Sequence, residues 1–298
     1  MGNLIPVNLK AYIYLAITVL SVPLVAICIK QVTGDLNNDS IVFYRHLFGF
    51  ISLMPLIFIY GMEIFKTNNL KYNIARAVVT SLAIWLYFLT LSNISLGLAG
   101  LLQLCSPIFL PLAALIILKI RETKTAIALQ LIAFIGAVLA SMPDNEDDIK
   151  NLFTMDTDLI FVFAGLLSAI LGAFSMIMAK KLSNHDSPMQ VMMFFSVSLT
   201  IISGFWVVIN GNLQIPSMEH IIYFTIGGCI ANFSQIWAIK SLQYFSSANY
   251  GLFMFCSIPV SYISGYFIYS EIYSPLSIFG MAIIIIVAMA SVIRNNKE

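Results

Sequence analysis

Ten stretches of mainly apolar residues follow one another along the chain, near 10–30, 41–61, 72–93, 96–118, 125–142, 158–180, 189–210, 219–241, 246–269 and 275–293. Each is close to the roughly 20 residues a helix needs to cross a hydrocarbon layer, and too long for a strand of a membrane barrel. Inside a bilayer only a helix satisfies its own backbone hydrogen bonds, so the pattern predicts ten membrane-spanning helices. Almost nothing remains for a soluble domain.

The pattern also repeats. Gly100-Leu101, three residues and Cys105-Ser106 return as Gly251-Leu252, three residues and Cys256-Ser257. Leu91 and Ser95 precede the first copy in the register in which Leu242 and Ser246 precede the second. Pro107 and Pro259, Glu122 and Glu271, and Ala140-Ser141 and Ala290-Ser291 follow with a shift of one or two residues. An ordered series of this kind reads as duplication, with residues 1–150 and 151–298 as the two copies. Five spans per copy is an odd number, so the second copy enters the membrane from the opposite face. The expected fold class is all-α: a polytopic membrane bundle of ten transmembrane helices built from two inverted five-helix repeats, a design suited to alternating access.

Composition agrees. With 60% hydrophobic and 10% charged residues and a mean hydropathy of +0.93, the chain has no means of making a soluble surface. The first stretch follows Lys10 without a small-residue cleavage site and is too long for a signal-peptide core, so it counts as a helix. Lysine and arginine fall mostly on one side, including Lys66, Lys71, Arg76, Lys119, Arg121, Lys124, Lys180, Lys181, Lys240 and Arg294, against Lys30 and Lys150 on the other. That asymmetry puts both termini in the cytoplasm. The acidic run Asp144, Glu146, Asp147, Asp148, with Asp156 and Asp158, reads as a solvated outer linker between the halves. Cys28, Cys105, Cys229 and Cys256 all lie in apolar stretches as packing residues, and no metal spacing or cofactor motif is present.

On these features the sequence resembles the drug/metabolite transporter superfamily and, within it, the EamA-type ten-helix permeases. The resemblance rests on Asn93-Ile94-Ser95 leading to Leu98-Ala99-Gly100-Leu101, on Ser106-Pro107, on Arg121-Glu122 before the fifth span, and on Tyr44-Arg45 at the start of the second. The second copy departs from it at Ile258, which separates Ser257 from Pro259, and at Tyr269-Ser270-Glu271. The resemblance implies a permease or exchanger of small organic metabolites in a bacterial inner membrane, with a central cavity bounded by spans one, three, four, six, eight and nine.

Polar residues that share a helical face in those spans are the candidate site. Span four offers Gly100, Gln103 and Ser106, span eight Gly228, Asn232 and Gln235, and span nine a stripe that includes Ser246, Tyr250 and Ser257. An amide in hydrocarbon needs a hydrogen-bond partner, so Gln103, Asn232 and Gln235 face the bundle interior for packing or for substrate. Trp85 and Trp237 sit in mid-span, away from the interfacial belt, either to wall the pocket or to fill the bundle core. Pro23, Pro107 and Pro259 are candidate hinges. Arg45 and His46 form the deepest ionisable pair, with snorkelling, pairing with Asp39, or anion recognition as the alternatives. Ser168, Gly172, Ser175 and Ala179 read as close helix packing.

An uncharged polar and aromatic lining favours an amino-acid-like solute, with a nucleoside-like or S-adenosyl compound as the alternative. No carboxylate stands in mid-span to relay a proton. A channel filter, an enzymatic cluster, a phosphate loop and nucleic-acid features are all missing from the sequence. The expected partners are a small-molecule substrate and the lipid bilayer.

Overall fold

The computed structural model describes residues 9–67, 69–94, 96–142, 159–270 and 273–295. Among them the structure is helical, apart from a single bridge between Thr33 and Leu36. The first half holds α1 (Leu9–Lys30), α2 (Asn38–Leu53), α3 (Pro55–Tyr60), α4 (Leu70–Asn93), α5 (Leu96–Gln103), α6 (Leu110–Leu118) and α7 (Lys124–Ala140). The second holds α8 (Leu159–Leu182), α9 (Pro188–Ile209), α10 (Met218–Tyr244), α11 (Ser247–Met254), α12 (Ser257–Tyr269) and α13 (Pro275–Asn295). Taken with their short continuations, nine stretches among the described residues are long and apolar enough to cross a membrane. Helix α7, the tenth apolar helix, has 17 residues. It is bounded by an N-cap at Thr123, whose hydroxyl accepts from the Ala126 N–H, and a C-cap at Ser141. Ser95, Glu271 and the acidic run from Asp144 to Asp158 lie outside the described residues.

Helix starts recur along the chain. The pairs 9 and 159, 38 and 188, 70 and 218, 96 and 247, and 124 and 275 are separated by 148 to 151 residues (218 − 70; 247 − 96). Helices α5 and α11 match at both ends, with the same offset of 151 (247 − 96; 254 − 103). The chain then leaves the helix at Leu104-Cys105 and at Phe255-Cys256 before resuming at Ser106 and Ser257. Further on, α6 and α12 end in left-handed residues, Lys119 (φ 57°) and Ser270 (φ 53°), the only described non-glycine residues with positive φ. They too are 151 apart (270 − 119).

Packing divides the described residues into two compact units, one made from 13–81 and 178–240, the other from 9–12, 82–142, 159–177, 241–270 and 273–295. In the first, α2 lies antiparallel along α9. At one end the Asn37 side chain accepts from the Ser40 N–H (2.8 Å) and donates to the Asn212 carbonyl (2.6 Å), while Asp39 accepts from Asn212 (2.7 Å) and Asn210 (3.3 Å). At the other end the Thr67 hydroxyl bonds the Asp186 carboxylate. There Ser187 and Gln190 also form a capping box at the start of α9. Helix α10 crosses α2 at Gly49 and Gly228. A Cβ at Gly228 would stand 2.7 Å from the Gly49 Cα, so only paired glycines permit this approach.

The second unit has a matching core. Helix α7 runs antiparallel to α13, with backbones touching at Gly136 and Gly280 and with Arg294 donating to Thr125 (2.9 Å) and Thr123 (3.3 Å). The two interrupted helices also meet here. The Gln130 side chain donates to the Pro107 carbonyl (2.7 Å), and both press on Gly251, where a Cβ would come within 2.3 Å of the Gln130 amide nitrogen. The Glu122 carboxylate accepts from the Ser247 N–H (2.7 Å) at the start of α11, where first-turn donors have no helical partner. Glu122 orients backbone, as its place near a span end suggests. Ser168 is 2% exposed, and a Cβ at Gly172 would stand 3.3 Å from the Ser106 hydroxyl oxygen. In this unit, that stripe of α8 is packed against its neighbours.

Candidate functional site

The first unit encloses a cavity of about 50 Å³, lined by Arg45 and His46 from α2, by Met192, Phe195, Ser196 and Leu199 from α9, and by Gly228, Ala231, Asn232 and Gln235 from α10. At roughly 15 Å³ per site it has room for about three water molecules. It lies near mid-helix, since Asn232 sits 14 residues from the start of α10 (232 − 218) and 12 from its end (244 − 232). The glycine contact places it there. Drawing α10 onto α2 brings Asn232 beside Gly49, whose missing side chain leaves 3.1 Å for the Asn232 amide nitrogen.

The polar groups of this cavity are unspent. Asn232 is 8% exposed, yet its Nδ2 donor has no protein partner, and neither does the buried Oε1 acceptor of Gln235. An unpaired buried polar group costs about 1–3 kcal/mol. No ion pair to Arg45 exists among the described residues. The expected pairing with Asp39 does not form, because Asn210 and Asn212 already engage that carboxylate. A second guanidinium lies against the lining residue Phe195 without belonging to the lining itself. Arg76 on α4 is 1% exposed, lies 3.9 Å over the Phe195 ring, and leaves its Nε unpartnered.

The remaining candidates fall into other settings. In the same unit, Trp237 packs against Tyr14 with ring centroids 4.9 Å apart, and the Lys240 ammonium lies 4.3 Å over the indole. Buried Pro23 leaves α1 unbroken. In the second unit Gln103 donates to the Ser168 hydroxyl (3.1 Å), which donates in turn to the Ala83 carbonyl (2.7 Å), so its amide nitrogen ties helices together. Ser106 begins the turn after the first break. Ser257 follows the second break and donates to the Met254 carbonyl (2.7 Å). Tyr250 is buried at 3% exposure. Trp85 is 41% exposed. Pro107 is the second residue after the first break and Pro259 the third after the second.

The EamA-like transporter family matches residues 9–142. Beyond that domain, the S-adenosylmethionine uptake transporter of Rickettsia felis is 26% identical over 90% of this chain and 87% of its own length. The Rickettsia prowazekii protein of the same name is 23% identical over 90% and 87%. The pseudopaline exporter CntI of Pseudomonas aeruginosa is 22% identical over 90% of each chain. Residues 9–142 are thus an EamA-like transporter domain of the drug/metabolite transporter superfamily. A solved crystal structure superposes on the transporter with a TM-score of 0.80 at 12% identity, covering 97% of this chain and 99% of the other, so the two share a fold.

Part of the transporter's cavity was hidden in its sequence. Asn232 and Gln235 stand out as amides in an apolar run. Met192, Phe195, Ser196 and Leu199 keep the spacing of any buried helix face, and spans two and seven were not among the expected walls. Arg76 read as one more charge at the end of a span. Its signal was its place a turn and a half inside α4, which starts at Leu70.

Proposed function

We propose that the transporter is a secondary carrier of an S-adenosyl metabolite, working by alternating access in a bacterial inner membrane. The observation that carries this reading is the mid-helix cavity with its unpartnered Asn232 and Gln235 amides. Buried polar groups of that kind are costly unless a ligand uses them. The relatives named as S-adenosylmethionine uptake transporters favour this class over a plain amino acid. The two alternatives meet in one molecule, since an S-adenosyl compound joins a nucleoside to an amino acid.

The repeat offers the mechanism. Residues 1–150 and 151–298 act as two inverted copies, with α7 as the tenth span. Its 17 residues are at the lower limit for crossing a bilayer. Support comes from the recurring helix starts and from α2–α9 and α7–α13, in each of which a helix packs antiparallel to its counterpart in the other half. Loop contacts add to it. Residues 31–37 meet 210–220 at one end of the first unit and 67 meets 186 at the other, so loops equivalent in the two copies sit at opposite ends. The offset of 150 between α2 and α9 (188 − 38) pairs Arg45 with Phe195 and His46 with Ser196, and all four line the cavity. Sites at the junction of inverted repeats are where such carriers bind. Both termini face the cytoplasm on the distribution of lysine and arginine.

Purified transporter in proteoliposomes should accumulate labelled S-adenosylmethionine, and the same compound should raise its melting temperature by mass action. Saturable uptake of neutral amino acids alone, with no response to S-adenosylmethionine, would return the substrate to the amino-acid class.

A further inference from the structure

We infer that the Arg45 cavity takes the α-ammonium carboxylate end of the substrate, with Arg45 and Asn232 Nδ2 holding the carboxylate and Gln235 Oε1 accepting from the ammonium. This deepens the proposed S-adenosyl reading and rests on the same cavity. Three properties lead to it. The Arg45 guanidinium, Asn232 Nδ2 and Gln235 Oε1 each have a complement on such a head group: a cation and an N–H donor for the carboxylate, a carbonyl acceptor for the ammonium. Charge points the same way, because among the described residues Arg45 has no carboxylate partner, and the Arg76 guanidinium stacks on Phe195 in the cavity wall. Two uncompensated guanidiniums in a low-dielectric interior favour an anion strongly. Size is the third. A cavity of about 50 Å³ is on the scale of a head group of a few heavy atoms.

The geometry also explains an otherwise wasteful arrangement. Arginine binds a carboxylate through two parallel N–H donors, and such charge-assisted bonds are about twice as strong as neutral ones. In the empty state Arg45 and the two amides lack partners, and the head group supplies all of them at once. The adenosyl end then contributes apolar area and stacking without deciding entry to this cavity. Recognition is therefore bipartite, with the head group essential.

The test uses the full-length transporter in detergent or nanodiscs and a panel of competitors against labelled S-adenosylmethionine. S-adenosylhomocysteine and methionine carry the head group, 5′-methylthioadenosine lacks it, methionine methyl ester loses the carboxylate charge and N-acetylmethionine loses the ammonium. The first two should compete. The last three should need at least about ten-fold higher concentration than their head-bearing counterparts. Arg45→Gln should weaken binding of every head-bearing ligand about ten-fold or more, and Arg45→Lys should recover part of that loss at an unchanged melting temperature. Competition by 5′-methylthioadenosine equal to that of S-adenosylhomocysteine would overturn the assignment, and so would unaltered affinity in Arg45→Gln. If S-adenosyl compounds fail while labelled methionine binds in an Arg45-dependent way, the head-group site stands and the S-adenosyl reading falls. Absence of binding by every member of the panel overturns both.

Discussion

Gly100 and Gly251 hold the same place in the repeated motif, but their surroundings differ. A Cβ at Gly100 would meet nothing within 4 Å, whereas one at Gly251 would strike the Gln130 amide and the Pro107 carbonyl, and one at Gly228 the backbone of Gly49. Gly100→Ala should therefore leave the melting temperature level or slightly raised, since alanine in a helix gains up to about 1 kcal/mol over glycine. Gly228→Ala and Gly251→Ala should each cost about 1–3 kcal/mol from overpacking. Only Gly228→Ala should also abolish ligand binding, because it parts α10 from α2. Thermal melts with ligand titration on the three variants check this. The sequence displayed the repeated glycines but not which of them touch backbone, since that depends on the partner helix. For the same reason Asn232 was legible as a polar residue in an apolar face, and its meeting with Arg45 was not. That meeting depends on a crossing between glycines 179 residues apart (228 − 49).

At the scale of the element, apolar runs located the spans well because length and hydropathy alone separate a membrane helix from a loop. Interruptions were harder. Pro107 and Pro259 follow breaks, Pro23 sits inside an unbroken helix, and Pro55 separates α2 from α3 without having been singled out. A proline removes one helical donor wherever it stands, and whether the helix opens depends on what takes up the released carbonyls. In the first broken helix Gln130 binds the Pro107 carbonyl, and in the second Ser257 binds that of Met254. Gln130→Leu keeps the bulk and deletes one of two donors to the Pro107 carbonyl, which keeps the Leu110 N–H. The expected result is a loss of about 0.5–1.5 kcal/mol in stability. Affinity for the head-group ligand should be unchanged, because Gln130 belongs to the other unit. Melting and binding measured on one preparation separate the two effects.

For the molecule as a whole, the cavity lining is what decides coupling: among the described residues no aspartate or glutamate belongs to it. A carrier with that lining can reorient loaded without changing protonation, so substrate-for-substrate exchange should persist when the proton gradient is collapsed. Vesicles preloaded with unlabelled substrate should still speed the entry of label. Counterflow abolished by an uncoupler in intact vesicles would move the proton to His46, the titratable group in the lining. The proposed duplication was legible as a spaced motif. Its regularity was not, because matching helix starts and the left-handed caps at Lys119 and Ser270 involve unlike residues whose backbone conformation is the same.

The 150-residue offset that makes Phe195 the counterpart of Arg45, and Ser196 that of His46, has a kinetic consequence. Where the copies are related by inversion, swapping their conformations turns the outward face into the inward one, but it does not turn an arginine into a phenylalanine. The solute therefore meets a different rim on each side, and the concentration that half-saturates entry should differ from the one that half-saturates exit. Without an energy source, such a difference has to be matched by an opposite one in the rates of the empty and loaded turnovers, so that net flow still stops when the two concentrations are equal.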